Sequence, residues 1–149
     1  MKSRSDPSAL AHLVDRLEAM RPDTPRQWGT LTPGEMLCHL ADATASVLDQ
    51  SPSKTAPRHP FLKLIALRLP LAWPRGLPTP ATVNPKDAGT KPGDFEADRR
   101  RAIDGLRTFA TALDGSLTSS HGAFGPMIPA DWHRWAYRHT DHHLRQFGL

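Results

Sequence analysis

The segment Trp132-His133-Arg134-Trp135-Ala136-Tyr137-Arg138-His139-Thr140-Asp141-His142-His143-Leu144-Arg145-Gln146-Phe147 decides how this chain folds. At about 100° per residue, Trp132, Trp135, Ala136, His139, His143, Gln146 and Phe147 fall within about 60° of one line along a helix. Tyr137, Arg138, Asp141 and Arg145 fall on the far side. One apolar face and one charged face predict a helix docked on a core. Pro129 suits its first turn, Asp131 favours the same end, and Gly148 is a natural stop. The inward stripe begins as tryptophan and alanine and continues as His139 and His143. These two sit four residues apart and so lie nearly one above the other. His142 falls to the side, about 80° off the line.

Working outward, three more long helices are legible. Ser5-Asp6-Pro7 offers a cap and a first-turn proline for a helix from Ala9 to Met20, with Leu10, Leu13, Val14 and Leu17 at helical spacing. Thr32-Pro33-Gly34-Glu35 reads as a capping box opening a second helix to about Leu48. Its stripe is Met36, Leu40, Ala43 and Val47, with His39 on the edge. Asp94 can cap another helix to about Leu113, with Phe95, Ile103, Leu106, either Phe109 or Ala110, and Leu113 inward. Between the second and this later helix, residues 51–92 carry Pro52, Pro57, Pro60, Pro70, Pro74, Pro78, Pro80, Pro85 and Pro92, which forbid one long helix. A short helix from Phe61 to Leu69 fits inside this crossover. A crossover of this length lets the helices on either side run parallel. No strand is expected. The fold class is therefore all-α, a bundle of four long helices with a Pro-rich crossover carrying one short helix.

The chain has 149 residues, enough for one domain spanning 1–149. Its 38% hydrophobic and 23% charged content is that of a globular chain rather than a disordered one. No apolar run approaches the roughly 18 residues of a membrane span, and the N-terminus lacks a signal-peptide stretch, so a cytoplasmic location is expected. Cys38 is the single cysteine, so no intramolecular disulfide can form. Net charge is +4, and the densest basic run is Arg99-Arg100-Arg101. With acidic residues interspersed and no aromatic side chains interleaved, the run reads as a solvated helix face, and nucleic acid is not an expected partner.

Burying His139 and His143 is costly unless their nitrogens are satisfied. Carboxylates, carbonyls, water or a metal ion could all do it. His39 on the inner edge of a second helix favours the metal, because ligands in bundles converge from facing helices. Three imidazoles from two helices leave positions open for water or substrate, as catalytic sites do. Asp42 and Gln146, each one turn beyond a candidate ligand, could accept a second ring N–H. His121 could reach the mouth of the bundle, and His142 could replace His143 as ligand. Cys38 points about 100° from His39 and belongs to the core or the helix flank. His12, His59 and His133 are expected to face solvent. Trp28, Trp73, Trp132 and Trp135 are read as packing anchors, with Trp73 a candidate pocket wall.

The segment Glu35-Met36-Leu37-Cys38-His39-Leu40, the long crossover and the ending His139-x-x-x-His143-Leu144-Arg145-Gln146-Phe147-Gly148 resemble the DinB/YfiT-like superfamily of helix-bundle metalloproteins. The closer resemblance is to an uncharacterised subfamily that ends in His-His-Leu-Arg-Gln-Phe-Gly after a Phe-Gly and Trp segment, here Phe124-Gly125 and Trp132. The resemblance covers nearly the whole chain. It implies up-down-down-up helix order and a divalent metal, often zinc or nickel, on His39, His139 and His143. It also implies thiol-dependent transferase or isomerase chemistry with bacillithiol, mycothiol or glutathione, or related hydrolase chemistry. The small-molecule substrate is then a partner of the site. The competing reading is a non-catalytic bundle that binds a metal or ligand and dimerises through the Pro-rich segment. No Gly-rich phosphate loop and no nucleophile elbow is present.

Overall fold

A computed structural model describes residues 7–49 and 59–149. Ser5 and Asp6 of the first cap, and Pro52 and Pro57 of the crossover, lie outside the described residues. Five α-helices follow in order: α1 (Pro7–Ala19), α2 (Pro33–Asp49), α3 (Pro60–Arg68), α4 (Phe95–Ala110) and α5 (Pro129–Arg145). At the head of α2, Thr32 N donates to Glu35 Oε2 at 2.8 Å and Glu35 N donates to Thr32 Oγ1 at 3.2 Å, so the capping box closes in both directions. At α4, the Asp94 side chain accepts from Ala97 N at 2.8 Å. Past α5, Gly148 takes φ +73 and Leu149 N donates to Leu144 O, a left-handed stop that side chains with a Cβ rarely adopt.

Residue pairs fix the direction of each helix. Gly34 of α2 faces Pro92 just before α4, Asp42 pairs with Arg101, and Thr44 meets Gly105, so α2 and α4 run parallel. The Arg99 guanidinium on α4 donates to Glu18 O and Met20 O at the end of α1, so α1 opposes α4. Trp132 at the start of α5 shares a core cluster with Val47 near the end of α2, so α5 opposes α2. The order is up-down-down-up, and the crossover makes the parallel pair feasible. One apolar cluster joins Leu13, Leu17, Met36, Leu37, Leu106 and Leu144. A second joins Ala43, Val47, Phe109, Phe124, Trp132 and Trp135. Short helix α3 lies against α5, where buried Asp131 accepts from Lys63 and Arg68, each at 3.1 Å. Burial alone would raise the Asp131 pKa, but these hydrogen bonds outweigh it and hold the carboxyl below its ordinary value.

Four expectations need correction. Helix α4 stops at Ala110 rather than near Leu113, because Thr111 turns back to bond Arg107 O and Thr108 O; Leu113 is 80% exposed. His133 is buried, not solvent-facing, with its ring 5.9 Å from that of Phe109 on α4. The cause is that α5 is covered by α1 and α4 on one flank and by α3 and the crossover on the other, so its buried arc is wider than one face. A two-residue antiparallel hairpin, β1 (Ser120–His121) with β2 (Gly125–Pro126), stands where no strand was expected. Gly125, at φ +74, permits this tight return. Asp42, expected beside His39, turns instead to Thr90 and Arg101.

Candidate metal centre

His39 projects from α2, and His139 and His143 project from successive turns of α5. The three offer ligand atoms that all lie within 4.8 Å of one another. His39 Nε2 and His139 Nε2 are 3.0 Å apart. Two bare lone pairs do not sit at that distance without a proton or cation between them. A tetrahedral ion with bonds of about 2.0–2.1 Å separates its nitrogen ligands by about 3.3 Å, between the shortest spacing here and the outer limit.

The second nitrogens settle which atoms face inward. Val83 O can only accept, so His39 Nδ1 at 2.8 Å must donate to it, leaving Nε2 of the neutral ring bare. His143 Nδ1 lies 3.1 Å from Gln146 Oε1, which likewise turns Nε2 toward the other rings. Trp135 stacks on His139, with centroids 4.7 Å apart and planes 12° apart. His39 and His143 are buried; His139 is part-buried and borders a cavity. Burial lowers the pKa of all three, and for His139 and His143 it does so strongly, with neighbouring imidazoles adding to the effect. All three are thus neutral near pH 7, the form that binds metal.

Two further contacts hold this arrangement. Gln27 N donates to Gln146 O at 2.7 Å, and Gly29 takes φ +88 where an added Cβ would lie 3.1 Å from Gln146 Nε2. The loop after α1 therefore rests on the side chain that orients His143. The Val83 carbonyl is set by a 3₁₀ turn at Ala81–Val83 in the crossover. Neither Gly29 nor Val83 carried a sequence signal beyond a glycine in a loop, since a backbone acceptor has no residue signature.

Asp42 does not touch His39. It accepts from Thr90 N at 2.7 Å, Thr90 Oγ1 at 2.9 Å and Arg101 at 2.9 Å, and so ties the end of the crossover to α2. Cys38 faces α4, and burial pushes its thiol up to about 11, which makes it inert near neutral pH. His12 and His59 are exposed. Arg99 and Arg101 of the basic run are engaged with the α1 terminus and Asp42.

The triad forms part of the wall of a cavity of about 760 Å³. His121 and His142 also line it. His121 Nδ1 accepts from Ala123 N and Phe124 N at 3.1 and 3.3 Å, so its proton resides on Nε2; burial lowers its pKa to about 4. His142 is buried against Trp28, 5.0 Å between centroids, and Trp73, 5.8 Å, and burial lowers its pKa too. Trp73 lines the cavity and donates its indole N–H to Ala66 O at 2.9 Å. Among the described residues no helix is long and apolar enough to cross a membrane. No curated protein and no solved structure matches the chain. A family model does match, over residues 4–147, and with the bundle it shows that the chain belongs to the DinB superfamily.

Proposed function

We propose that this protein is a metal-dependent enzyme acting on a small molecule, with His39, His139 and His143 holding a divalent ion. The observation that carries the reading is the triad itself: three neutral imidazoles from two helices with ligand atoms within 4.8 Å, beside a cavity large enough for a substrate. An all-imidazole donor set suits zinc, nickel, copper and iron alike; the family resemblance favours zinc or nickel. When bound, such an ion would supply Lewis acidity, lowering the pKa of a coordinated water or thiol toward neutrality. The chain's own residues would do the rest. Val83 and Gln146 fix the tautomers of two ligands, and Trp135 holds the ring plane of the third. His121, with Nδ1 committed to two backbone N–H groups, presents a donor rather than a base. His142, neutral and with no hydrogen bond to its ring nitrogens among the described residues, is the group able to accept a proton. Transfer or hydrolysis by an activated thiol or water is the reaction class these parts support.

The test is metal content of protein purified without an affinity tag. Wild type is expected to hold about one zinc or nickel per chain, and His139→Ala essentially none; equal trace metal in both would sink the reading. Cobalt-substituted protein titrated with 2-mercaptoethanol then separates enzyme from closed structural clip. A new sulfur-to-cobalt absorption band requires an open coordination position, and its absence favours the non-catalytic bundle.

A further inference from the structure

Among the described residues, no charged side chain lines the cavity beside the triad. Its walls come from the loop before α2, α2, α3, the crossover, the β1–β2 hairpin and α5, and include Val47, Ile65, Trp73, Phe124 and Trp132. No Asp, Glu, Lys or Arg lines it among the described residues. Four cations close in sequence to the walls, Lys63, Arg68, Arg75 and Arg138, are directed elsewhere. Lys63 and Arg68, on either side of lining residues Ile65 and Ala66, both reach Asp131. Arg138 donates to Leu69 O and Leu71 O. Arg75, between lining residues Pro74 and Gly76, sits over the Trp28 ring at 5.3 Å from its centroid. At the same time three residues of the lining, Leu62, Leu71 and Leu77, are 47%, 56% and 50% exposed. Exposed leucines that continue an apolar interior form a rim that water covers only at a cost.

The geometry points to an uncharged, largely apolar small molecule as the ligand of this cavity, with one polar head at the histidine triad and its hydrocarbon body running past Ile65 and Trp73 to the leucine rim. This rests on the reading of the triad as the reactive centre, and it narrows the substrate. A low-molecular-weight thiol bearing carboxylates would bring charge into a chamber whose described lining offers no countercharge, where an unpaired ion is strongly disfavoured. A neutral thiol or alcohol with an alkyl or aryl body meets no such penalty.

A matched pair of fluorescent probes tests this: N-phenyl-1-naphthylamine, which is uncharged, and 8-anilinonaphthalene-1-sulfonate, the same skeleton with one negative charge. Titrated into the zinc-loaded full chain, the neutral probe should bind about tenfold or more tighter than the sulfonate, against the bias of a net positive protein. Leu62→Glu and Leu77→Glu, at exposed rim positions, should each weaken the neutral probe about fivefold or more. Leu64→Glu, on the same helix but outside the cavity lining, should leave it unchanged. Equal or tighter binding of the sulfonate, no binding of the neutral probe, or rim variants that bind it like wild type would overturn the inference. Zinc stoichiometry is measured separately on the same samples. A chain that binds the neutral probe but no zinc keeps the cavity and loses the metal reading, and the reverse result does the opposite.

Discussion

Gln146 shows how far the orientation of a candidate ligand, His143, is set by groups outside the triad. Its amide oxygen accepts from His143, its backbone oxygen from Gln27, and its nitrogen end is crowded by Gly29. Partners of this kind typically carry about 10–100-fold of metal affinity. Gln146→Leu, which keeps the volume and removes the acceptor, should therefore weaken zinc binding by about that factor in a competition titration with a chromophoric chelator, while the far-ultraviolet spectrum stays that of a folded bundle. His121 gives a pH signature. Its folded-state pKa, about 4, lies below the ordinary 6.5. Folding therefore favours the neutral ring, and its contribution to stability is complete above about pH 6.5 and lost as pH falls toward 4. Urea unfolding of metal-free protein between pH 7 and 4.5 should show declining stability, with a shallower decline in His121→Phe; identical slopes would remove His121 from the account. At this scale the helical spacing of His139 and His143 and the position of His39 were legible because they are local patterns. Asp42 misled because spacing along α2 says nothing about which loop returns to claim it; Thr90 and Arg101 do.

Among the elements, the parallel contact of α2 and α4 is the tightest place to probe. A Cβ at Gly105 would lie 2.9 Å from Thr44 Oγ1, and that hydroxyl is already held by Leu40 O and Ala41 O. Gly to Leu gains roughly 1 kcal/mol of helix propensity. Overpacking a filled interface costs about 1–3 kcal/mol, more when backbones must separate. Gly105→Leu should thus be net destabilising in urea, whereas Gly105→Ala combined with Thr44→Ala, which removes the crowding oxygen, should recover stability relative to Gly105→Ala alone. Helix positions were readable from caps and prolines, as the closed box at Thr32 and Glu35 illustrates. What could not be read was coverage: a helical wheel assumes one buried face, and α5, flanked on two sides, buries His133 and His142 as well as its tryptophans.

For the whole molecule, metal and fold should be linked. Zinc present at about 100 times its dissociation constant would add about 2.7 kcal/mol to the folded state. In a domain of this size that corresponds to a rise in Tm of roughly 5–10 °C, abolished by EDTA and absent in His139→Ala. Differential scanning calorimetry with and without EDTA checks it, and an unchanged Tm would mean that no ion is held by the folded site.

The crossover between α2 and α4 has a different consequence. The candidate ligands reside on two helices of the bundle, while much of the cavity wall, from Leu62 through Val83, is built from the connecting segment. Lengthening such a connection is thermodynamically mild, about 0.6 kcal/mol for each doubling of a flexible loop. Sequence drift in this segment can therefore reshape what enters the chamber while leaving the three imidazoles and the four-helix frame in place. Val83 is the exception, because its carbonyl holds His39. The candidate ligands and much of the chamber's wall thus lie on separate stretches of chain, joined at one peptide group.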